Sequence, residues 1–359
     1  MRLNNNQQAF LALLKAGLWE KEFKLSEGVE IDFIEVYRIA EIHASTGLIA
    51  AGFEHVTDMK IPQEIVFQFV GAALQLEQRN NAMNEFINTI IDEMRRKGIY
   101  TILVKGQGLA QCYIRPLWRA CGDIDFFFSD NEFVKAVKYF KEIGAVEFQN
   151  AQYTKSYGVI LKPWMIELHG TLRSVLSTTV DKEIDNVQKD IFWCGDVRTW
   201  KNGKIDIFLP GVNSDIFLLF THFIRHFYKN VFVIRQVCDW CRLLWSYREM
   251  IDTDLLTRRL NRTHLLPEWK AFASVAVEWL GMPSEVMPLY DDSSVWMRKA
   301  DKIISFALCK KKPSKIRDVV TVAWIFPANT FRFLPSLLFN VNCLKIKERF
   351  AKHIWLRSL

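Results

Sequence analysis

The sequence predicts an α/β (α+β) protein, with a helical region over residues 1–98, an α/β core over 99–210 and a second helical region over 211–359. Three observations carry that division. Before residue 98, apolar residues recur at three- and four-residue intervals, the period of an amphipathic helix. At Tyr100 the pattern changes to short apolar and β-branched runs punctuated by glycine and proline, which suit strands. From Ser214 the helical period returns.

Taken in order, residues 7–21 are amphipathic and 31–51 repeat apolar residues at helical spacing. Residues 63–96 read as one long helix, with Pro62 placed to open it. Gly98, following Arg95, Arg96 and Lys97, is placed to end it. In the core, 100–104 reads as a buried strand, followed by a Gly-rich turn and a short helix over 107–113. Residues 122–128 read as a second strand, and 131–143 as an amphipathic helix that Ser129 or Asp130 can cap. Residues 159–161 and 165–169 read as strands paired across Lys162-Pro163. Residues 198–200 and 205–209 flank Asn202-Gly203, a strong hairpin signal. Further helices are expected over 215–228, 233–247, 268–280 and 295–309.

With 359 residues, 50% hydrophobic and 24% charged, the chain can bury a real core as two modest domains or one elaborated one. The net charge of +7 is unevenly spread. From Asp301 onward there are twelve Lys and Arg against three Asp and Glu, so the basic character belongs to the C-terminal segment. Such a segment suits phosphates, nucleic acid or a lipid surface, or is simply a solvated basic face. The first apolar stretch is interrupted by Lys15 and followed by Glu20 and Glu22, which reads as an amphipathic helix rather than a signal peptide. The most apolar stretch, 319–341, contains Pro327, Arg332 and Pro335; it suits contact with a membrane surface better than a spanning helix. A cytoplasmic location is expected. Cys238 and Cys241 form a Cys-x-x-Cys pair inside a helix-like apolar run, without a second pair to complete a zinc site, so packed thiols are expected.

The chemistry concentrates at Gly122-Asp-Ile-Asp125. Side chains two apart on a strand share a face, so Asp123 and Asp125 would stand side by side with Ile124 turned into the core. Adjacent carboxylates repel unless a positive group lies between them, and a divalent cation such as Mg²⁺ is the natural one. Upstream, Val104-Lys105-Gly106-Gln107-Gly108 joins a strand to a short helix, where glycines let the backbone approach a phosphate. Lys105 and Arg119 supply positive charge on either side. Downstream, Ile166-Glu-Leu-His169 carries a third carboxylate, Glu167, on the strand face opposite Ile166 and Leu168.

This succession of Gly-rich turn, short helix, Arg119, Gly-Asp-Ile-Asp and Ile-Glu-Leu-His resembles the nucleotidyltransferase superfamily of the DNA polymerase beta type. It resembles more closely a largely uncharacterised bacterial nucleotidyltransferase family with a Lys-Gly turn, an Arg before Asp-Ile-Asp and a later acidic-Leu-His strand; the motifs span residues 101–172. The chain departs from the wider superfamily in having Lys105-Gly106-Gln107-Gly108 where Gly-Ser is usual, and in a longer spacing from Gly106 to Asp123.

The resemblance implies a small mixed sheet with helices and the transfer of an NMP, with ATP as donor, to a hydroxyl of a small molecule or protein. It implies that Asp123, Asp125 and Glu167 are the catalytic and metal-binding set for two Mg²⁺ ions, with Glu167 also activating the acceptor hydroxyl. Lys105, Gly106, Gly108 and Arg119 would serve the nucleotide. The expected reaction is in-line attack of the acceptor oxygen on the α-phosphorus, with pyrophosphate leaving. Two other readings stay open: a degenerate site that holds nucleotide without turnover, and a nucleic-acid-modifying enzyme using the basic segment.

Around this set, several side chains have a structural reading beside a functional one. Arg119 can contact phosphate or pair with Asp123, and His169 can orient the acceptor or hydrogen-bond in the core. His222 and His226 share a helix face, which suits a helix–helix contact before a metal because no Glu follows His222. Arg235 and Asp239 can form an intrahelical pair or line an acceptor pocket.

Overall fold

A computed structural model describes residues 3–25, 29–151, 154–308 and 315–339. The N-terminal helices are α1 (Asn5–Trp19), α2 (Phe33–Ile42), α3 (Thr46–Phe53) and α4 (Gln63–Arg96). The expected 31–51 helix is broken where Ala44 adopts a left-handed φ of 51°. The break lets α3 fold back on α1, backbone against backbone: a Cβ on Gly17 would lie 1.8 Å from the Leu48 carbonyl oxygen. Gly98, at φ 68°, terminates α4 where the sequence placed its end.

The core is a five-stranded mixed sheet in the order β1-β2-β5-β4-β3, built from β1 (Ile102–Val104), β2 (Ile124–Phe127), β3 (Val146–Ala151), β4 (Ser156–Leu161) and β5 (Trp164–His169). Strands β2 and β5 run parallel, while the other neighbours are antiparallel. Helix α5 (Gly106–Ala110) follows β1 and is shorter than the sequence suggested; α6 (Asp130–Glu142) follows β2. The edge strand β3 and helix α7 (Thr178–Trp193) are additional to the elements expected. Strands β6 (Val197–Asn202) and β7 (Ile205–Pro210) form the separate hairpin across Asn202-Gly203.

The C-terminal helices are α8 (Val212–Tyr228), α9 (Arg235–Ser246), α10 (Thr253–Thr263), α11 (Leu266–Ser274), α12 (Ser294–Leu308), α13 (Lys315–Ile325) and α14 (Pro327–Phe339). Pro327 separates α13 from α14, and no helix among the described residues is long and apolar enough to cross a membrane. Lysines and arginines at 310–312 and 345–357, which supply most of the basic character, lie outside the described residues. Cys238 and Cys241 are buried free thiols on α9, and burial pushes both above the ordinary thiol range.

Strand alternation divides the interior in two. Leu103, Ile124, Phe126, Ile166 and Leu168 pack with Met83, Ile87, Ile90 and Met94 of α4 and with Phe140 of α6. Ile102, Val104 and Phe127 turn to the other face and join the larger core built on α7, α8 and α9. The sheet is therefore clamped between the C-terminal half of α4 and the helices that follow the hairpin.

Asn80, fully buried in α4, ties that clamp to the loops around the sheet. Its amide donates to the Leu117 (2.7 Å) and Arg119 (2.9 Å) carbonyl oxygens and accepts from Gln107 Nε2 (2.7 Å). Replacing Asn80 with Leu leaves buried partners unsatisfied and should destabilise the protein by about 1–3 kcal/mol or more. Chemical denaturation measures this, and an unchanged midpoint would remove Asn80 from the scaffold of the site.

Candidate functional site

The parallel β2–β5 register sets Asp125 opposite Glu167 and Phe127 opposite His169. Because Ile124, Phe126, Ile166 and Leu168 are committed to the apolar face, Asp125, Glu167 and His169 project from the other. Asp125 is 3% and Glu167 6% exposed, a costly burial for two neighbouring carboxylates unless positive groups meet them. His169 Nε2 lies 2.7 Å from Asp125 Oδ1 and 3.6 Å from Glu167 Oε2. Lys105 Nζ donates to the same Asp125 Oδ1 at 3.2 Å.

Lys105 reaches back across β2 because the chain turns sharply after β1. Its φ is 59° and that of Gly106 is 42°, both in the left-handed region. Glycine suits the second position, since a Cβ there would lie 3.3 Å from Cys121 Sγ in a conformation L side chains rarely adopt. At Lys105 the same region costs on the order of 1–3 kcal/mol, strain of the kind that collects at functional sites. Gly108 meets a different constraint: a Cβ there would lie 2.7 Å from Leu209 Cδ2, so its small size lets α5 dock on the hairpin.

Arg119 lines the same cavity as the carboxylates, although its side chain is buried. Its guanidinium forks onto Asp239 of α9, with Nε to Oδ1 at 2.7 Å and Nη2 to Oδ2 at 2.8 Å. Asp239 also accepts from Tyr113 Oη and from Arg235 Nη1, each at 2.7 Å. Burial alone would raise the Asp239 pKa, but the Arg119 and Arg235 charges outweigh it and hold the carboxyl below its ordinary range. Burial and the Asp239 charge push the Tyr113 phenol well up, so it remains a donor. This cluster underlies the loop that carries Cys121, Gly122 and Asp123. Asp123 itself is half-buried, just ahead of β2, on the wall of the cavity that Asp125 and Glu167 also line.

Opposite the sheet stands α8, whose last two turns carry a polar stripe at His222, Arg225 and His226, continued by Lys229 at the C-cap. His222 and His226 meet with ring centroids 4.4 Å apart and planes tilted by 44°, and both face the cleft, where the sequence had favoured a helix–helix contact. The cleft has two adjoining cavities. One, of about 280 Å³, is lined by Gly106, Asp123, Asp125 and Arg235; the other, of about 200 Å³, by His169, Arg173, Arg225 and Lys229. Lys105, Glu167, His222 and His226 line both. His169, Arg225 and Lys229 were not assigned as site residues from the sequence; the signal for the last two was their spacing of three to seven residues from His222.

Ligand atoms of Asp125, Glu167 and His169 lie within 4.8 Å of one another, a group able to hold a metal ion. The donor set fits a divalent cation: two carboxylates at adjacent register positions provide the hard oxygens Mg²⁺ prefers, and Asp123 stands nearby on the same wall. The imidazole nitrogen also suits a first-row transition metal.

A family model described as an uncharacterised nucleotidyltransferase matches residues 30–281, a span containing the Lys105 turn, β2, β5, α8 and Asp239. No match was found among curated proteins or among solved structures.

Replacing Asp239 with Asn would leave Arg119 and Arg235 without their countercharge and should cost about 3–5 kcal/mol at pH 7. Because the folded-state pKa of Asp239 is depressed, that stabilisation is fully present above the unfolded value of about 3.9 and is lost as pH falls through the folded one. Denaturation curves of the two proteins should therefore differ above about pH 4 and converge below it. A gap independent of pH would assign the loss to something other than the charge.

Proposed function

We propose, from the premise that the chain belongs to the uncharacterised nucleotidyltransferase family, that it transfers an NMP from a nucleoside triphosphate, ATP in the first instance, to an acceptor hydroxyl. The observation that supports this most directly is the placing of Asp125 against Glu167 beside the Lys105-Gly106 turn. In this reading Asp123, Asp125 and Glu167 hold Mg²⁺, with His169 adjoining the set. Bound there, divalent cations would offset the triphosphate charge and stabilise the attacking and leaving oxygens.

The residues of the chain divide the remaining work. Lys105 and the backbone at Gly106 flank the phosphates of the donor. Glu167 accepts the proton of the acceptor hydroxyl as its oxygen attacks the α-phosphorus; the bond from that phosphorus to the bridging oxygen breaks, and pyrophosphate departs. His169, hydrogen-bonded to Asp125, fixes the orientation of that carboxylate. Gly108 acts at one remove by seating α5 on the hairpin, and Arg119, on the cavity wall, anchors the loop before Asp123 to Asp239.

Calorimetric titration with ATP, GTP, CTP and UTP in Mg²⁺ tests this reading. The wild type should bind one of them in a metal-dependent manner, and Asp125→Asn should weaken that binding by about 100-fold or more while unfolding at a similar temperature. Failure of a folded wild type to bind any of the four, or binding indifferent to chelator and to the substitution, would refute it. Asp123→Asn should likewise abolish transfer, and full activity in that variant would remove Asp123 from the metal set.

A further inference from the structure

The two cavities of the cleft differ in what lines them. Gly106, Asp123 and Asp125 line the first alone, and the second opens on the far side of Glu167 and His169. The nucleotide reading above places the triphosphate beside the Lys105-Gly106 turn and gives Glu167 the acceptor proton. On that reading, the cavity beyond Glu167 is where the rest of the acceptor lies.

That second cavity has a definite chemistry. Among the described residues, four basic side chains line it, Lys105, Arg173, Arg225 and Lys229, against the acidic Glu167 and Asp215. Asp215 is paired with Arg198 at 2.6 Å, Arg173 with Asp185 at 2.6 Å and Lys105 with Asp125 at 3.2 Å; counted over the whole described lining, four Lys and Arg stand against two carboxylates, a balance that favours an anion. Arg225 in the last turn of α8 and Lys229 at its C-cap stand one turn apart, and Ser156 of β4 and Thr154 just before it line the opposite side. Guanidinium, ammonium and hydroxyl donors converging on one small space are the groups that hold a phosphate. The volume, about 200 Å³ beside the 280 Å³ of its neighbour, suits a small molecule rather than a folded partner.

We propose that this cavity is the acceptor site and takes a small molecule bearing a phosphate group near the hydroxyl that is modified. The phosphate sits between α8 and the sheet, held by Arg225 and Lys229. The hydroxyl points back past His169 towards Glu167. The proposal depends on the nucleotidyltransferase reading for the word acceptor, but the anion site stands on its own lining.

The test uses the full chain with Mg²⁺ and a non-hydrolysable ATP analogue filling the first cavity, titrated with glycerol 3-phosphate, glycerate and glycerol. Glycerol 3-phosphate should bind and glycerol should not, with glycerate markedly weaker. The double variant Arg225→Gln, Lys229→Gln should weaken glycerol 3-phosphate by roughly 10- to 100-fold, while binding of the analogue changes less than about twofold. The charge-preserving double variant Arg225→Lys, Lys229→Arg should retain most of the affinity, which separates lost charge from lost folding. Glycerate binding as tightly as glycerol 3-phosphate, or no probe binding at millimolar concentration, would overturn the phosphate assignment. Weakening of the analogue in place of glycerol 3-phosphate would assign Arg225 and Lys229 to the triphosphate and also overturn it. If the analogue itself does not bind, the catalytic reading fails separately, and the glycerol 3-phosphate titration still decides the cavity.

Discussion

The parallel pairing of β2 with β5 forces two carboxylates together on a buried face of the sheet. Asp125 and Glu167 face one another because their neighbours Ile124, Phe126, Ile166 and Leu168 are bound into the apolar core beneath. A one-residue slip in register would bury the carboxylates in that core and expose the apolar residues, so the site and the fold are specified by the same alternation. The cost of the arrangement is electrostatic, and the surrounding structure is organised to meet it. Lys105 comes in from a strained turn and His169 from two residues along the same strand. Both meet the same oxygen, Asp125 Oδ1.

A second charged cluster holds this arrangement in place from behind. Arg119, Asp239, Arg235 and Tyr113 join the loop ahead of β2 to α9, and Asn80 joins the same loop to α4. A buried ion pair contributes little net stability compared with an apolar replacement, because desolvation offsets the attraction. Its directional hydrogen bonds matter more here: a bidentate fork fixes the path of the chain between Arg119 and Asp123 in a way apolar packing would not. The N-terminal and C-terminal helices thus serve the sheet as two sides of a vice, each supplying one buried polar anchor to the loop between them.

What could be read from the sequence follows from distance along the chain. Helix α4 has local signals at both ends, and its bounds coincide with those expected. The hairpin at Asn202-Gly203 and the carboxylates of Asp-Ile-Asp and Ile-Glu-Leu-His are equally local. His169 joining Asp125 depends on which strands are neighbours, and the sequence expected β5 to pair with β4 without showing that it also pairs with β2. Arg119 meeting Asp239 is a contact across 120 residues. With no register to place Asp239, the sequence could offer Arg119 only the charges near it. Gly108 shows the same limit in another form: glycine in a turn reads as backbone freedom, whereas the side chain it must avoid belongs to Leu209 on the hairpin.

The division of labour between sheet and helix has a consequence for specificity. Asp123, Asp125 and Glu167 come from the sheet or its immediate approach, where register leaves little freedom to vary position. Facing them, His222, Arg225 and His226 come from one stripe of α8, and Lys229 from its C-cap. The apolar positions Phe220, Phe223, Ile224 and Phe227, buried in the larger core, hold the helix in place. On the reading proposed above, the reaction chemistry sits in the sheet and recognition of the acceptor on the opposite wall. Membership of the family can therefore identify the general type of transfer while leaving the acceptor open, and on the reading proposed above the side chains facing the sheet are where that second question is put.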